Sequence, residues 1–266
     1  SFSIDDVRLT TRLDDGFFPS ALFSTLHEAG HGLYEQGIDP ALERTPLADG
    51  TSLGMHESQS RLWENLIGRS RAFWAHYYPE LQATFPDAFG DVPLEAFYRA
   101  INKVEPSLIR VEADEVTYNL HIMLRFELER GLVRGTVSVD ELPGRWNDTM
   151  EEYLGVRPDS DAQGVLQDVH WSFGAIGYFP TYALGNLMSV QLLEQIRRDV
   201  PDLDAQIGRG RFEALLDWLR THIHCHGRKL QAPDLLERVT GEALRAEPWL
   251  RYIREKYSEI YGVDVP

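Results

Sequence analysis

The sequence predicts a mainly α-helical chain with room for one small sheet. Apolar residues recur at helical spacing in stretches from residue 20 to residue 261, and proline or glycine stands at most of the breaks between them. Only Ile4, Val7 and Leu9, near the N-terminus, alternate with polar residues as a short strand would.

Composition narrows the class. At 266 residues and 43% hydrophobic, the chain is long enough for one large core. Its net charge of −16 argues against a nucleic-acid backbone as partner. Cys225 is the one cysteine, so no intrachain disulfide forms, which fits a reducing cytoplasm. Nothing at the N-terminus resembles a signal peptide, and no apolar run is long enough to span a bilayer.

Taken in order, the first helix is expected over about 20–36. Ser20 is its candidate cap and Gly37 its end, with an apolar stripe of Leu22, Leu26, Ala29 and Leu33. Residues 37–51 carry Pro40, Pro46 and Asp49-Gly50 and read as a loop. A long helix should follow from Ser52 to Tyr78, with Leu62, Trp63, Leu66, Ile67, Phe73 and Trp74 on its apolar side. Pro79 and Pro86 break that pattern, and Pro93 opens a short helix to about Val104.

Residues 104–112 read as extended, because Pro106 and the β-branched residues disfavour helix. Helices are expected at 113–133, ending near Gly135, and at 140–153. Residues 155–178 are rich in glycine and aromatics and lack periodicity, as functional loops often do. Pro180 starts a helix to about Asp199, and the tail supplies three or four more, near 209–225, 232–246 and 247–261. With no repeat or linker in view, residues 1–266 are expected to form a single α-rich unit.

The chemistry concentrates in the first helix. His27-Glu28-Ala29-Gly30-His31 is His-Glu-x-x-His, and residues four apart share a helix face. His27 and His31 can therefore aim two imidazoles at one ion, and Zn²⁺ suits such a pair. Glu28 can reach a water on that ion without being a ligand. A third ligand is needed, and no histidine follows at the HEXXHxxGxxH position. The leading carboxylate is Glu57 in the next helix, with Glu64 and Glu43 competing.

Several further motifs occur in a fixed order. They are Asp6-Val7-Arg8-Leu9-Thr10, His56-Glu57-Ser58-Gln59, Ile109-Arg110 through Ala113-Asp114, and Gly164 through Gln167-Asp168-Val169-His170-Trp171. With the HEXXH helix, these resemble the C-terminal half of the carboxypeptidase Taq family of HEXXH metallocarboxypeptidases. The resemblance implies a helical, groove-type (gluzincin-like) fold with a small antiparallel sheet. It also implies zinc or cobalt, Glu57 as third ligand, peptide substrates with a free C-terminus, and a homodimer. Two departures stand out: family members are about twice as long, and of the His-Pro-Phe that precedes DxRxT in them the His and Pro are absent here, where the chain starts Ser1-Phe2-Ser3.

The remaining roles follow from what this hydrolysis needs. Glu28 is the candidate base. The resemblance puts His170 at the groove, and a looser similarity to other groove-type HEXXH peptidases implies Tyr182 as oxyanion donor, with Tyr178 near the substrate carboxylate. Arg8 and Arg110 are the cations suited to that carboxylate, each with a structural ion pair as its plainer role. Glu112 and Asp114 are candidates to orient a ligand histidine. An HEXXH endopeptidase or dipeptidase, or a metal-binding chain that needs a separate N-terminal part, are the alternatives. His222-Ile223-His224-Cys225-His226 also looks metal-rich, but its histidines suit a helix C-terminus and no carboxylate accompanies them.

Overall fold

The computed structural model describes residues 2–11, 13–14 and 16–264. The α-helices are α1 (Phe18–Gln36), α2 (Leu53–Arg61), α3 (Arg71–Thr84), α4 (Pro86–Phe89), α5 (Leu94–Ile101) and α6 (Tyr118–Arg134). They continue as α7 (Leu142–Leu154), α8 (Pro180–Asp199), α9 (Leu203–Ile207), α10 (Glu213–His222), α11 (Ala232–Thr240) and α12 (Glu247–Tyr261). The chain forms two compact units, Ser1–Ile101 with Leu184–Pro266, and Asn102–Ala183.

The expected small antiparallel sheet does not form among the described residues. Among the described residues the only β pairing is an isolated bridge between Ser3 and Asp6. Ser3 Oγ accepts from the amides of Asp5 and Asp6, so the segment closes on itself as a turn. The stretch 104–112 also forms no strand; it ends in a 3₁₀ turn at Arg110–Glu112.

In the first unit, α1 starts two residues before Ser20. Pro19 occupies its first turn and Phe17 precedes it without a side-chain cap, so Ser20 is not the cap. Gly37 closes the helix, donating to the carbonyls of Leu33 and Tyr34. The expected long helix is broken into pieces. Ser52 caps α2 through the Met55 amide, and the turn then widens to a π-helical segment, Leu62–Ile67, where Gly68 N–H donates to the Trp63 carbonyl. Ser70 caps a new start at α3 through the Phe73 amide. Pro79 lies inside α3, and the helix stops at Thr84, ahead of the Phe85-Pro86 pair that disfavours helical backbone.

Two close approaches hold α2 in place. A Cβ on Gly30 of α1 would lie 2.6 Å from Ser60 Cα, so the two helix backbones touch there. A Cβ on Gly185 of α8 would lie 2.5 Å from Glu57 Cγ. The metal-helix pair therefore packs at contact distance, on a core that includes Tyr34, Met55, Leu62, Leu192, Leu219 and Leu235.

In the second unit, α6 begins at Tyr118 because the Asp114 carboxylate takes the amides of Val116 and Thr117 and the Thr117 hydroxyl. Gly135, at φ 69°, ends it as expected. α6 and α7 bury Leu124, Leu128, Trp146 and Met150 together. Residues 155–179 stay irregular apart from a 3₁₀ turn at Trp171–Phe173, and Gly174 and Gly177 adopt positive φ there.

Candidate metal centre

The i, i+4 spacing on α1 brings His27 and His31 side by side, with Nε2 atoms 3.2 Å apart. Glu57, from the second turn of α2, points Oε2 at both, 3.7 Å from each Nε2. Ligand atoms about 2.0–2.2 Å from a tetrahedral ion lie roughly 3.2–3.6 Å from one another, so these three atoms fit one divalent ion. His27 and His31 are partly buried and Glu57 is buried. Arg61 Nε donates to the other oxygen of Glu57 at 2.8 Å, which leaves Oε2 facing the imidazoles.

The surroundings favour positive charge at this point. Burial alone would lower the His27 imidazole, but the Glu64 hydrogen bond and the charges of Glu64 and Glu57 raise it above its ordinary value. Glu64, at 2.8 Å from His27 Nδ1, is an orienting partner in this geometry. Its carboxyl, which burial would raise, is pulled down to about 2 by Arg61 and His27. Burial, then the neighbouring His27 and His56, pushes His31 down to about 3, so its ring is neutral.

Behind His31 stands a pair that spacing did not single out. His31 Nδ1 meets His56 Nδ1 at 2.7 Å, and His56 Nε2 meets Glu35 Oε1 at 2.7 Å. The signal was available: Glu35 follows His31 by four residues on one helix, and His56 directly precedes Glu57. A cavity of about 700 Å³ opens beside these groups, lined by Glu28, His31, Glu35, His56 and Arg8 among others. Glu28 thus shares an open cavity with His31. Glu43 lines the same cavity but lies outside the ligand cluster.

Arg8 is exposed and clasped by Asp6, with Nε on Oδ1 and Nη2 on Oδ2, both at 2.8 Å. The other predicted side chains gather in the second unit. His170 Nε2 is 2.9 Å from the Tyr182 hydroxyl, and the His170 and Tyr178 rings stand 5.1 Å apart. Burial and the Arg110 charge hold the His170 imidazole below its ordinary value.

Arg110 is buried. It spends Nε and Nη2 on Asp168 at 3.0 and 2.7 Å, and Nη1 on the Tyr118 hydroxyl at 2.8 Å. Arg125 takes the second oxygen of Asp168 at 2.6 Å and Gln167 at 2.8 Å. Asp168 and Gln167 therefore brace two buried arginines. Asp114 serves its own helix start, and Glu112 is exposed at the 3₁₀ turn. The His222–His226 run belongs to no three-ligand cluster among the described residues; His224 instead bonds Gln59 at 2.9 Å.

A helix presenting two histidines and a following helix presenting a glutamate define a helical protein with a two-imidazole, one-carboxylate candidate site for a divalent cation. The chain belongs to the carboxypeptidase Taq (M32) metallopeptidase family, whose sequence model matches residues 1–257. It is 51% identical over 257 residues to thermostable carboxypeptidase 1 of Thermus thermophilus, covering 97% of this chain and 50% of that one. It is 48% identical to carboxypeptidase 1 of Bacillus subtilis over 96% of this chain and 51% of that one.

Among solved structures, the M32 carboxypeptidase of Deinococcus radiodurans R1 superposes with a TM-score of 0.96 at 51% identity, over 98% of this chain and 53% of that one. The Pyrococcus furiosus carboxypeptidase gives 0.93 at 46% identity, over 97% of this chain and 52% of that one. The chain thus spans about half the length of the relatives it matches. No helix among the described residues is long and apolar enough to cross a membrane.

Proposed function

We propose that residues 1–266 form the catalytic region of a metal-dependent carboxypeptidase that releases single amino acids from peptide C-termini. The observation that carries this is the convergence of His27 Nε2, His31 Nε2 and Glu57 Oε2 beside a cavity that Glu28 lines, in a chain of this family. His27, His31 and Glu57 would hold Zn²⁺, with Co²⁺ as a substitute, since two imidazoles and a carboxylate suit either. Bound there, the ion would supply Lewis acidity to the scissile carbonyl and acidify water toward neutrality.

The chain's own groups do the rest. Glu28 accepts the proton of the attacking water and returns it to the departing amine. His170 and Tyr182, joined by their hydrogen bond, are assigned to the developing oxyanion. Arg8, Arg110 and Tyr178 are assigned to the substrate's free carboxylate. Of the two arginines Arg8 is the first to test, because it lines the cavity with Glu28, whereas Arg110 is heavily committed to Asp168 and Tyr118. The resemblance further supports a homodimer, and the single Cys225 suits the cytoplasm.

Metal analysis joined to turnover tests the assignment. Glu57→Ala should lose stoichiometric zinc while Glu64→Ala keeps it; zinc retained by the first and lost by the second would make Glu64 the ligand. One observation favours a second reading, in which another segment completes the groove: Leu166, Val169, Phe173 and Ile176 are all more than half exposed. On that reading the chain binds metal but cleaves only when the remaining half found in its relatives is supplied.

A further inference from the structure

The two ligand histidines are backed differently. His27 Nδ1 meets a carboxylate directly, at Glu64. His31 Nδ1 meets a second imidazole, and only that imidazole meets a carboxylate. Two ring nitrogens 2.7 Å apart hold one proton between them, one donating and one accepting. A carboxylate only accepts, so Glu35 Oε1 requires the His56 proton to sit on Nε2. An imidazole whose one proton sits on Nε2 leaves Nδ1 bare, as an acceptor. His31 must carry its own proton on Nδ1, and His31 Nε2 is left with a free lone pair. That is the atom facing His27 Nε2 and Glu57 Oε2.

We propose that Glu35 and His56 are positioning residues, a two-step relay that fixes His31 in the tautomer and orientation in which Nε2 faces the metal. The inference rests on the reading of His27, His31 and Glu57 as the metal ligands. The relay also ties α1 to α2: Glu35 and His31 sit one helical turn apart, and His56 is the backbone neighbour of Glu57. One hydrogen-bonded chain thus sets the two helices in register at the ligands. The His56 ring is in turn packed against Tyr34, at 5.0 Å between centroids, and against Gly50, where a Cβ would lie 2.6 Å from the ring. It has little room to rotate away.

The test is Zn²⁺ affinity, measured by competition with a chelator, together with the visible spectrum of the Co²⁺-loaded protein. His56→Leu keeps bulk but removes the acceptor, and should weaken Zn²⁺ binding by about 10–100-fold and shift the Co²⁺ bands. His56→Asn offers Oδ1 where Nδ1 stood, and should bind within a few-fold of the original chain. Glu35→Leu, which frees the His56 tautomer, should also lose affinity, and it carries the test if His56→Leu fails to fold. Unchanged affinity and spectrum in His56→Leu or Glu35→Leu overturn the relay. So does equal loss in His56→Asn and His56→Leu, since the acceptor would then not be what matters. If the unsubstituted chain takes up no Zn²⁺, the underlying metal reading falls first.

Discussion

Glu57 shows how much of this site depends on single atoms. Arg61 occupies one carboxylate oxygen and the two imidazoles face the other, so neither oxygen is idle. Glu28, one position after His27, belongs to no candidate metal cluster and lines the cavity. Glu28→Gln should therefore keep its metal and lose turnover by at least about 100-fold, the usual scale for removing a general base; cleavage at the original rate, with metal content measured alongside, would remove Glu28 from the mechanism. At this scale the sequence spoke clearly about types and spacing. His27, His31 and Glu57 could be picked because i, i+4 geometry and motif order are linear properties. Glu64 was in view as a rival ligand, but its contact with the far nitrogen of His27 depends on how α1 crosses α2. The His56–Glu35 pair escaped notice for the same reason: ring-nitrogen pairing is set by packing, which no linear spacing encodes.

The elements show the same division. α1, α6 and α8 were legible from apolar stripes and from the punctuation of Gly37, Gly135 and Pro180. The stretch 52–84 was not, because its apolar face continues unbroken while the backbone widens at Leu62–Ile67 and restarts at Ser70. The strand pattern of Ile4, Val7 and Leu9 gave no strand, since Ser3 and Asp6 close the segment locally. The element that matters most is the α1–α2 crossing. Gly30→Ala would force a methyl to 2.6 Å from Ser60 Cα, and overpacking of this kind costs on the order of 1–3 kcal/mol. Denaturant unfolding should show that loss. Gly185→Ala, against Glu57 Cγ and Cβ, should instead cost metal affinity more than fold stability, because the displaced group is the proposed carboxylate ligand. Equal metal affinity in Gly185→Ala would mean the ligand's stem tolerates the shift.

Across the whole molecule, buried neutral imidazoles set the acid limit. Burial pushes both His121 and His224 down to about 3. Unfolded, each takes a proton near its ordinary 6.5, so the unfolded state binds more protons below that value. Stability should fall progressively as pH drops from about 6.5 toward 3 and be independent of these two groups above it. His224→Gln, which can keep a bond to Gln59, should flatten that slope in thermal melts; an unchanged slope would move the acid sensitivity elsewhere.

The proposed reaction can be followed directly. The Zn²⁺- or Co²⁺-loaded chain is incubated with an unblocked peptide and with its C-terminally amidated twin, and the products are followed by mass spectrometry over time. The expected product is a ladder that shortens one residue at a time from the free C-terminus, with the amidated peptide left intact. Internal cleavage, or equal attack on both peptides, would contradict it.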